Sequence, residues 1–254
     1  MNSEFLVKNQ PETPPTPLVE YVLYSAEYTM INAKVSLLKY FKDIAGTDFS
    51  IIDGHEEARL TLLAVKYALK REKINSDKFI LLDIGGGSTE IIVNTNDNYE
   101  AHSFDFGIVT MTQKYLVQHD LHNDLNNRKK EIKKFLDSLN IDDLSQYSFV
   151  ATAGTPTTIA AIKLGQDFFS YDRDIVNGTI VNLEDIENSL DIFKNSSAEE
   201  IAKLVGRGRV EFIEVGIFIY KMIFEVLGKN ESIVLDDGLR EGVAINYCET
   251  KCKD

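Results

Sequence analysis

The sequence Phe79-Ile-Leu-Leu-Asp-Ile-Gly-Gly-Gly-Ser-Thr-Glu-Ile-Ile-Val93 contains two apolar runs on either side of a glycine turn, a pattern that predicts two strands joined as a hairpin. Three consecutive glycines allow the backbone to adopt positive φ and to bring its N–H groups against an anion. Asp83 ends the first run, and Ser88 and Glu90 open the second. Carboxylates beside a bound anion commonly hold a divalent cation, directly or through water. We therefore predict a hairpin that binds phosphate and metal, whereas the three glycines alone would fit an ordinary β-turn equally well.

Around this hairpin, the chain has the composition of a globular protein. Of its 254 residues, 44% are hydrophobic and 26% are charged, which is enough to build one large domain or two small ones. The 27 basic and 40 acidic residues give a net charge of −13, so we expect no general affinity for nucleic acids or anionic membranes. No apolar run reaches the roughly 18 residues that a membrane span needs. Because the only cysteines are Cys248 and Cys252, near the end, we expect a reduced, cytoplasmic protein.

The order of predicted elements gives the fold class. Residues 1–17 contain four prolines and predict a disordered tail, and residues 18–78 predict a small part with helices and strands. Residues 79–254 predict three strands, two helices, a strand and then further helices around a last strand, with a loop at 165–181. This is an α/β fold in which helices flank a mixed sheet. The order resembles that of the ribonuclease-H-like domains of actin, Hsp70 and sugar kinases, which implies one complete domain after a partial N-terminal one.

Four short stretches carry a more specific resemblance. They are Asp53-Gly-His-Glu-Glu-Ala-Arg-Leu60, the hairpin from Asp83 to Glu90, Ala153-Gly-Thr-Pro-Thr-Thr158 and Asp237-Gly-Leu-Arg-Glu-Gly242. In this order and at these spacings they resemble the exopolyphosphatase / guanosine pentaphosphate phosphohydrolase (Ppx/GppA) family, over about residues 22–248. The resemblance implies Mg²⁺-dependent hydrolysis of the terminal phosphate of inorganic polyphosphate or of guanosine pentaphosphate.

The resemblance also implies a role for each site residue. Glu57 matches the catalytic acid of the family and would act as general base on water. Asp83 and Glu90 would hold Mg²⁺. The residues that would bind phosphate are Gly85, Gly86, Gly87, Ser88, Gly154, Thr155 and Arg209. Among these, the Gly-Thr pair opens a helix after a strand, and the N-terminus of a helix is a favourable place for an anion.

Structural explanations compete with these roles. Acids in the first turn of a helix also stabilise its dipole, which is the interpretation we prefer for Glu56 and, without the family, for Glu57. Arg209 could equally be a surface residue at the start of a helix. Arg240 and Glu241 are adjacent and therefore face different ways on a helix, which indicates a structural role for this pair.

One part of the family pattern is missing. Family members begin with a strand and a turn of the type Asp-x-Gly-Ser-Asn, which provides an opposing phosphate loop, and this chain has no such turn before Asp83 and has Tyr28 in place of a family Arg. We therefore identify an N-terminally shortened member. The alternatives are a catalytically impaired relative or fragment that binds phosphate or nucleotide without the first loop, and a small-molecule kinase of the same superfamily. An incomplete sheet would expose an edge, which makes a homodimer plausible.

Overall fold

The computed structural model describes residues 42–44, 46, 50–75, 77–95, 98–118, 120–139, 141 and 143–251. Its contacts divide the chain into two compact units, one of Met1–Tyr24 with Thr29–Ile51 and one of Ser25–Tyr28 with Ile52–Asp254. The predicted Pro-rich tail (1–17) and the first half of the predicted partial domain lie outside the described residues. The architecture below is that of the second unit.

A six-stranded mixed sheet forms the centre of this unit. Its strands are β1 (Phe79–Ile84), β2 (Thr89–Asn94), β3 (Tyr99–Phe104), β4 (Ser148–Thr152), β5 (Thr179–Asn182) and β6 (Glu231–Val234). They lie in the order β3-β2-β1-β4-β6-β5. The first three strands form an antiparallel meander, β4 runs parallel to β1, and β6 runs parallel to β4. The predicted mixed sheet and the predicted hairpin are therefore confirmed.

Strand β5 is a correction to the sequence prediction, which made residues 165–181 a loop. It pairs antiparallel with β6 at the edge of the sheet. Only Val181 of its four residues is buried, so the strand has neither the continuous apolar run of an inner strand nor enough length to establish an alternating pattern. Its pairing depends on the neighbouring strand and could not be read locally.

Among the described residues from 52 to 251, nine α-helices surround the sheet. They are α1 (Gly54–Arg71), α2 (Ile108–Gln118), α3 (Leu121–Ser138), α4 (Gly154–Lys163), α5 (Arg173–Val176), α6 (Leu183–Asn195), α7 (Ala198–Val205), α8 (Ile213–Leu227) and α9 (Leu239–Lys251). Two single turns of 3₁₀-helix span Leu144–Gln146 and Arg207–Arg209. Within the part of the chain that the structure describes, no helix is both long and apolar enough to cross a membrane.

The two faces of the sheet have separate cores because successive side chains of a strand point to opposite faces. On one face, Ile80 and Leu82 of β1 belong to a large cluster that includes most of the buried side chains of α8. On the other face, Phe79 and Leu81 pack with a smaller cluster supplied chiefly by α1. Burial on both faces explains why β1 reads as a nearly continuous apolar run.

Helix α1 forms the layer over the smaller cluster, together with α9. Its buried residues Ala58, Leu62 and Val65 contact the sheet. Gly242 of α9 lies against the backbone of Leu60, so close that a Cβ atom there would clash with it. Contacts therefore place residues 52–78 with the sheet, whereas the sequence prediction divided the chain at residue 78. This packing brings the first turn of α1 to the predicted hairpin.

Candidate functional site

The glycine turn between β1 and β2 is held by the start of α2. The Gly85 amide donates to the Ser88 carbonyl at 2.9 Å and closes the turn. The Ile108 amide donates to the Gly85 carbonyl at 3.0 Å, and the Val109 amide donates to the Gly86 carbonyl at 2.8 Å. Among the described residues, nothing accepts a hydrogen bond from the amides of Gly86 or Gly87. These two N–H groups are thus available to an anion, but the Gly85 amide, which we had expected to bind phosphate, is used within the turn.

Gly107 permits this close approach of α2. A Cβ atom at this position would lie 2.5 Å from the Gly85 carbonyl oxygen and 2.6 Å from the Gly86 carbonyl carbon. Any residue larger than glycine would therefore push α2 away from the turn. The sequence predicted only a turn at this position, because the partner of Gly107 is more than twenty residues earlier in the chain.

Two carboxylates stand on the sheet beside the turn. Asp83 and Glu90 are register partners of β1 and β2, so their side chains lie on the same face. Glu90 is 4% exposed and accepts a hydrogen bond from the Ser103 hydroxyl at 2.7 Å. Burial raises the pKa of Glu90, and the hydroxyls of Ser88 and Ser103 oppose the rise. The buried Ser88 side chain thus bonds to Glu90, so Ser88 can contribute to an anion site only through its backbone N–H.

Burial, together with the charges of Glu90 and Glu57, raises the pKa of Asp83 to about 8. The cause is desolvation first and repulsion between like charges second. A cation placed between these acids would relieve both effects. These acids therefore favour the binding of a positive charge between them.

The first turn of α1 contains two adjacent acids, Glu56 and Glu57, that have different surroundings. Asp53 caps the helix by accepting from the Glu56 amide at 2.8 Å. Glu56 is bound by Arg59 through two hydrogen bonds of 2.7 and 2.8 Å. Glu57, in contrast, lies near enough to Asp83 to raise its pKa. Of the two acids, only Glu57 is among the groups that shift the pKa of Asp83.

The carboxylate oxygens of Asp83 and Glu90 fit Mg²⁺ better than a metal ion whose ligands all come from the protein. Among the described residues, no three His, Cys, Asp or Glu side chains lie close enough to hold a metal ion. Mg²⁺ typically takes one or two carboxylates and fills its other positions with water and substrate phosphate. Asp83 and Glu90 match that requirement, and all their donor atoms are oxygen.

A second place for an anion lies at the same edge of the sheet. Asp83 and Thr152 are register partners of parallel strands, so the glycine turn and the start of α4 follow the same ends of β1 and β4. Ala153, which precedes α4, has a φ of 71° and provides no side-chain cap. The Arg209 guanidinium lies over Gly154, where a Cβ atom would be 3.1 Å from its Cζ. The structure thus brings Gly154 and Arg209 together.

The side chain of Thr155 faces away from this edge of the sheet. Its side chain is 2% exposed, and its hydroxyl points at Gly216 of α8. A ligand cannot reach this hydroxyl, so Thr155 can contribute to an anion site only through its backbone N–H. The sequence identified the helix start but could not reveal which way the threonine side chain faces.

The start of α4 opens into a cavity of about 510 Å³. Besides Arg209, its lining includes Arg207 and Arg240. Arg240, for which the sequence predicts a structural role, is 83% exposed. The sequence reasoning did not single out Arg207; its only signal was the Arg-Gly-Arg run ahead of the longest apolar segment. The cavity therefore carries more positive charge than predicted.

The last of the four stretches that resemble the family, Asp237 to Gly242, contains a charged cluster of a different kind. Asp237 is 3% exposed in its side chain and is bound by Arg71 and by Arg173, each with a shortest N–O distance of 2.6 Å. Glu241 accepts from the Gly238 amide at 3.0 Å and lies 3.3 Å from Arg173. These contacts tie the end of α1 to the residues before α9. Asp237 and Glu241 are therefore structural.

Comparison with known proteins agrees with this geometry. Residues 29–251 match the sequence profile of the Ppx/GppA phosphatase family. The chain is 28% identical over 206 residues to the bifunctional 3-dehydroquinate synthase/phosphatase of Fusobacterium nucleatum, covering 79% of this chain and 30% of that protein. It is 26% identical over 235 residues to the guanosine-5'-triphosphate,3'-diphosphate pyrophosphatase of Photobacterium profundum, covering 90% and 44%. It is 24% identical over 217 residues to exopolyphosphatase 2 of Mycobacterium tuberculosis, covering 80% and 65%.

The fold is likewise similar to solved structures. The Ppx/GppA family member of Aquifex aeolicus superposes with a TM-score of 0.70 and 29% sequence identity, covering 88% of this chain and 72% of that one. The chain spans less than two thirds of the length of each curated relative above. The comparisons thus agree on the family and the fold, and they concern only part of each curated relative.

Proposed function

Because this chain belongs to the Ppx/GppA phosphatase family, we propose that it hydrolyses the terminal phosphate of inorganic polyphosphate or of guanosine pentaphosphate. The observation that carries the proposal is the convergence of Glu57, Asp83 and Glu90 beside the open amides of Gly86 and Gly87. Phosphoryl transfer requires an oriented nucleophile and positive charge near the equatorial oxygens. The three acids and the glycine turn beside them have groups suited to both requirements.

In the proposed reaction, Glu57 accepts a proton from a water molecule as the water oxygen forms a bond to the terminal phosphorus. The bond from that phosphorus to the bridging oxygen breaks, and the rest of the substrate leaves with the bridging oxygen. The amides of Gly86 and Gly87 donate hydrogen bonds to the oxygens of the transferred group. Glu57 acts on the pKa of Asp83, whereas its neighbour Glu56 is bound by Arg59, and this contrast supports Glu57 as the base.

We propose Mg²⁺ as the cofactor, held by Asp83 and Glu90 directly or through water. When bound, it supplies positive charge for the phosphate oxygens. Ser103 and Ser88 orient Glu90 through their hydroxyls, in the way that second-shell groups fix a metal ligand. The raised pKa values of Asp83 and Glu90 support the need for a cation at this place.

The remaining phosphates of the substrate would bind at the start of α4. Arg209 and the N–H groups of the first turn, including those of Gly154 and Thr155, are the proposed contacts. Arg207 and Arg240 add positive charge around the adjoining cavity. A substrate with several phosphates could thus bind the hairpin with its terminal group and α4 with the others.

A second candidate function is a catalytically impaired relative that binds polyphosphate or nucleotide without turning it over. The observation that favours it is Tyr28, which stands where the family resemblance places an arginine. We propose a cytoplasmic location for either function. We also propose a homodimer, which sedimentation equilibrium would test.

The experiment that tests the proposal measures phosphate release from long-chain polyphosphate and from guanosine pentaphosphate, with Mg²⁺ and with a chelator. Glu57→Gln is the test variant and Glu56→Gln is its matched control, because the two adjacent acids differ only in their surroundings. We expect release that needs Mg²⁺, that is lost in Glu57→Gln and that persists in Glu56→Gln. Binding of both compounds without release would favour the impaired relative, and equal losses in the two variants would contradict our assignment of the base.

A further inference from the structure

Thr61 is a buried hydroxyl that the proposed reaction leaves unexplained. The residue is 1% exposed, and its Oγ1 makes no hydrogen bond to any of the described residues. A threonine inside a helix usually avoids this by donating to the carbonyl four residues earlier. Thr112 of α2 does so, with Oγ1 at 2.6 Å from the Ile108 carbonyl oxygen. Thr61 therefore lacks a partner that an ordinary core threonine would have.

The position of Thr61 on α1 connects it to the carboxylates. It follows Glu57 by four residues, so the two side chains lie on the same face of the helix, one turn apart. Both act on the same group: Glu57 raises the pKa of Asp83 and the Thr61 hydroxyl lowers it. The hydroxyl thus lies beside the Asp83 carboxylate, although it falls short of hydrogen-bonding geometry.

We propose that Thr61 is a positioning residue for the cation site, whose hydroxyl donates a hydrogen bond to one oxygen of Asp83 when the other oxygen faces Mg²⁺. The inference rests on the proposed function, because it takes Asp83 as a ligand of the cation. It completes a symmetrical arrangement, in which each carboxylate of the pair has a hydroxyl behind it. Glu90 already accepts from the Ser103 hydroxyl, and Asp83 would accept from that of Thr61 once the cation is bound.

The proposal differs in its consequences from a role in packing. If Thr61 only filled space, valine would replace it in both the free and the Mg²⁺-bound protein, because valine has the same shape and no polar atom to leave unpaired. If Thr61 positions Asp83, valine would suit the free protein equally well or better and would impair only the Mg²⁺-bound one. The sign of the change therefore differs between the two states.

The experiment compares wild type, Thr61→Val and Thr61→Ser by isothermal titration calorimetry with MgCl₂ and by thermal unfolding with and without Mg²⁺. We expect Thr61→Val to bind Mg²⁺ about 10- to 100-fold more weakly, as second-shell substitutions do, and to melt no lower than wild type in the absence of Mg²⁺. Thr61→Ser, which keeps the hydroxyl, should retain affinity within about threefold. Thr112→Val is the matched control: it removes a satisfied hydroxyl, so it should lower the melting temperature and leave Mg²⁺ affinity unchanged.

The outcomes separate the two proposals. Wild-type affinity for Mg²⁺ in Thr61→Val would overturn the role of Thr61 and leave the proposed function intact. No binding of Mg²⁺ by wild-type protein would overturn the proposed cation site, and the role of Thr61 with it. If Thr61→Val does not fold, Thr61→Ala also removes the hydroxyl and is expected to show the same loss of affinity.

Discussion

Glu90 and Asp237 are both buried acids, but their surroundings have opposite character. Asp237 lies between two guanidinium groups, those of Arg71 and Arg173. Among the described residues, no Lys or Arg pairs with Glu90, which accepts from the hydroxyls of Ser88 and Ser103 and faces a second acid, Asp83, across the strands. A carboxylate whose charge is compensated within the protein contributes to the fold, and a buried one left uncompensated is a candidate for a functional site. The difference separates the two acidic motifs of this chain more clearly than their sequences do.

The largest expected effect is on turnover at the uncompensated cluster. Glu57→Gln removes the proposed base, and loss of a general base typically costs about 10²- to 10⁴-fold in rate. Asp237→Asn should lower turnover far less, in proportion to the folded fraction alone. Initial rates of phosphate release at saturating substrate measure both, and comparable losses in the two variants would contradict the division between the clusters.

The next effect is on stability, where substitution of Asp237 should matter more than substitution of Glu57. Asp237→Asn removes a carboxylate held by two arginines, and we expect the free energy of unfolding to fall by about 2 kcal/mol, because both arginines stay partly hydrated. Urea unfolding followed by circular dichroism measures the change. Asp191→Asn, at an exposed position, is the control and should stay within about 0.5 kcal/mol of wild type. A loss no larger than the control's would show that the arginine cluster adds nothing to the fold.

Gly107→Ala tests the support of the hairpin. The added Cβ would meet backbone atoms of Gly85 and Gly86, so α2 must shift and we expect a loss of about 1–3 kcal/mol together with weaker phosphate binding. Gly208→Ala is the control for stability, because a Cβ atom there would meet no atom within 4 Å. Thermal unfolding compares the two, and an unchanged melting temperature for Gly107→Ala would mean that the turn tolerates the displacement of α2.

The last effect is the pH dependence of stability without Mg²⁺. The pKa of Asp83 is raised to about 8 in the folded protein and returns to its ordinary value of about 3.9 on unfolding. Between these values the folded state binds more protons, so stability falls as pH rises from about 4 to about 8. We expect Asp83→Asn to be more stable than wild type at pH 8 and to reduce that fall, because repulsion and desolvation are removed. Urea midpoints at pH 5 and pH 8 measure it, and identical slopes in both proteins would contradict the prediction.

The hairpin was predictable because its signals are local. The apolar runs, the glycines and the positions of Asp83 and Glu90 correspond closely to β1, the turn and β2. The two partners of Asp237 were not predictable, since Arg71 is 166 residues away and its approach depends on how α1 crosses the sheet. The same holds for the hydroxyls of Thr61 and Thr155, because sequence spacing does not tell that both are buried or that the first lacks a partner among the described residues.

The contact between α2 and the glycine turn also determines the direction of the open amides. In a planar trans peptide the C=O of one residue and the N–H of the next point in opposite directions. Because α2 binds the carbonyls of Gly85 and Gly86, the N–H groups of Gly86 and Gly87 must point away from that helix. The anion-binding dipoles are therefore already oriented before any ligand arrives, so little reorganisation is needed at the moment of reaction. Helix α2, which contributes no atom to the proposed chemistry, acts as its rigid template.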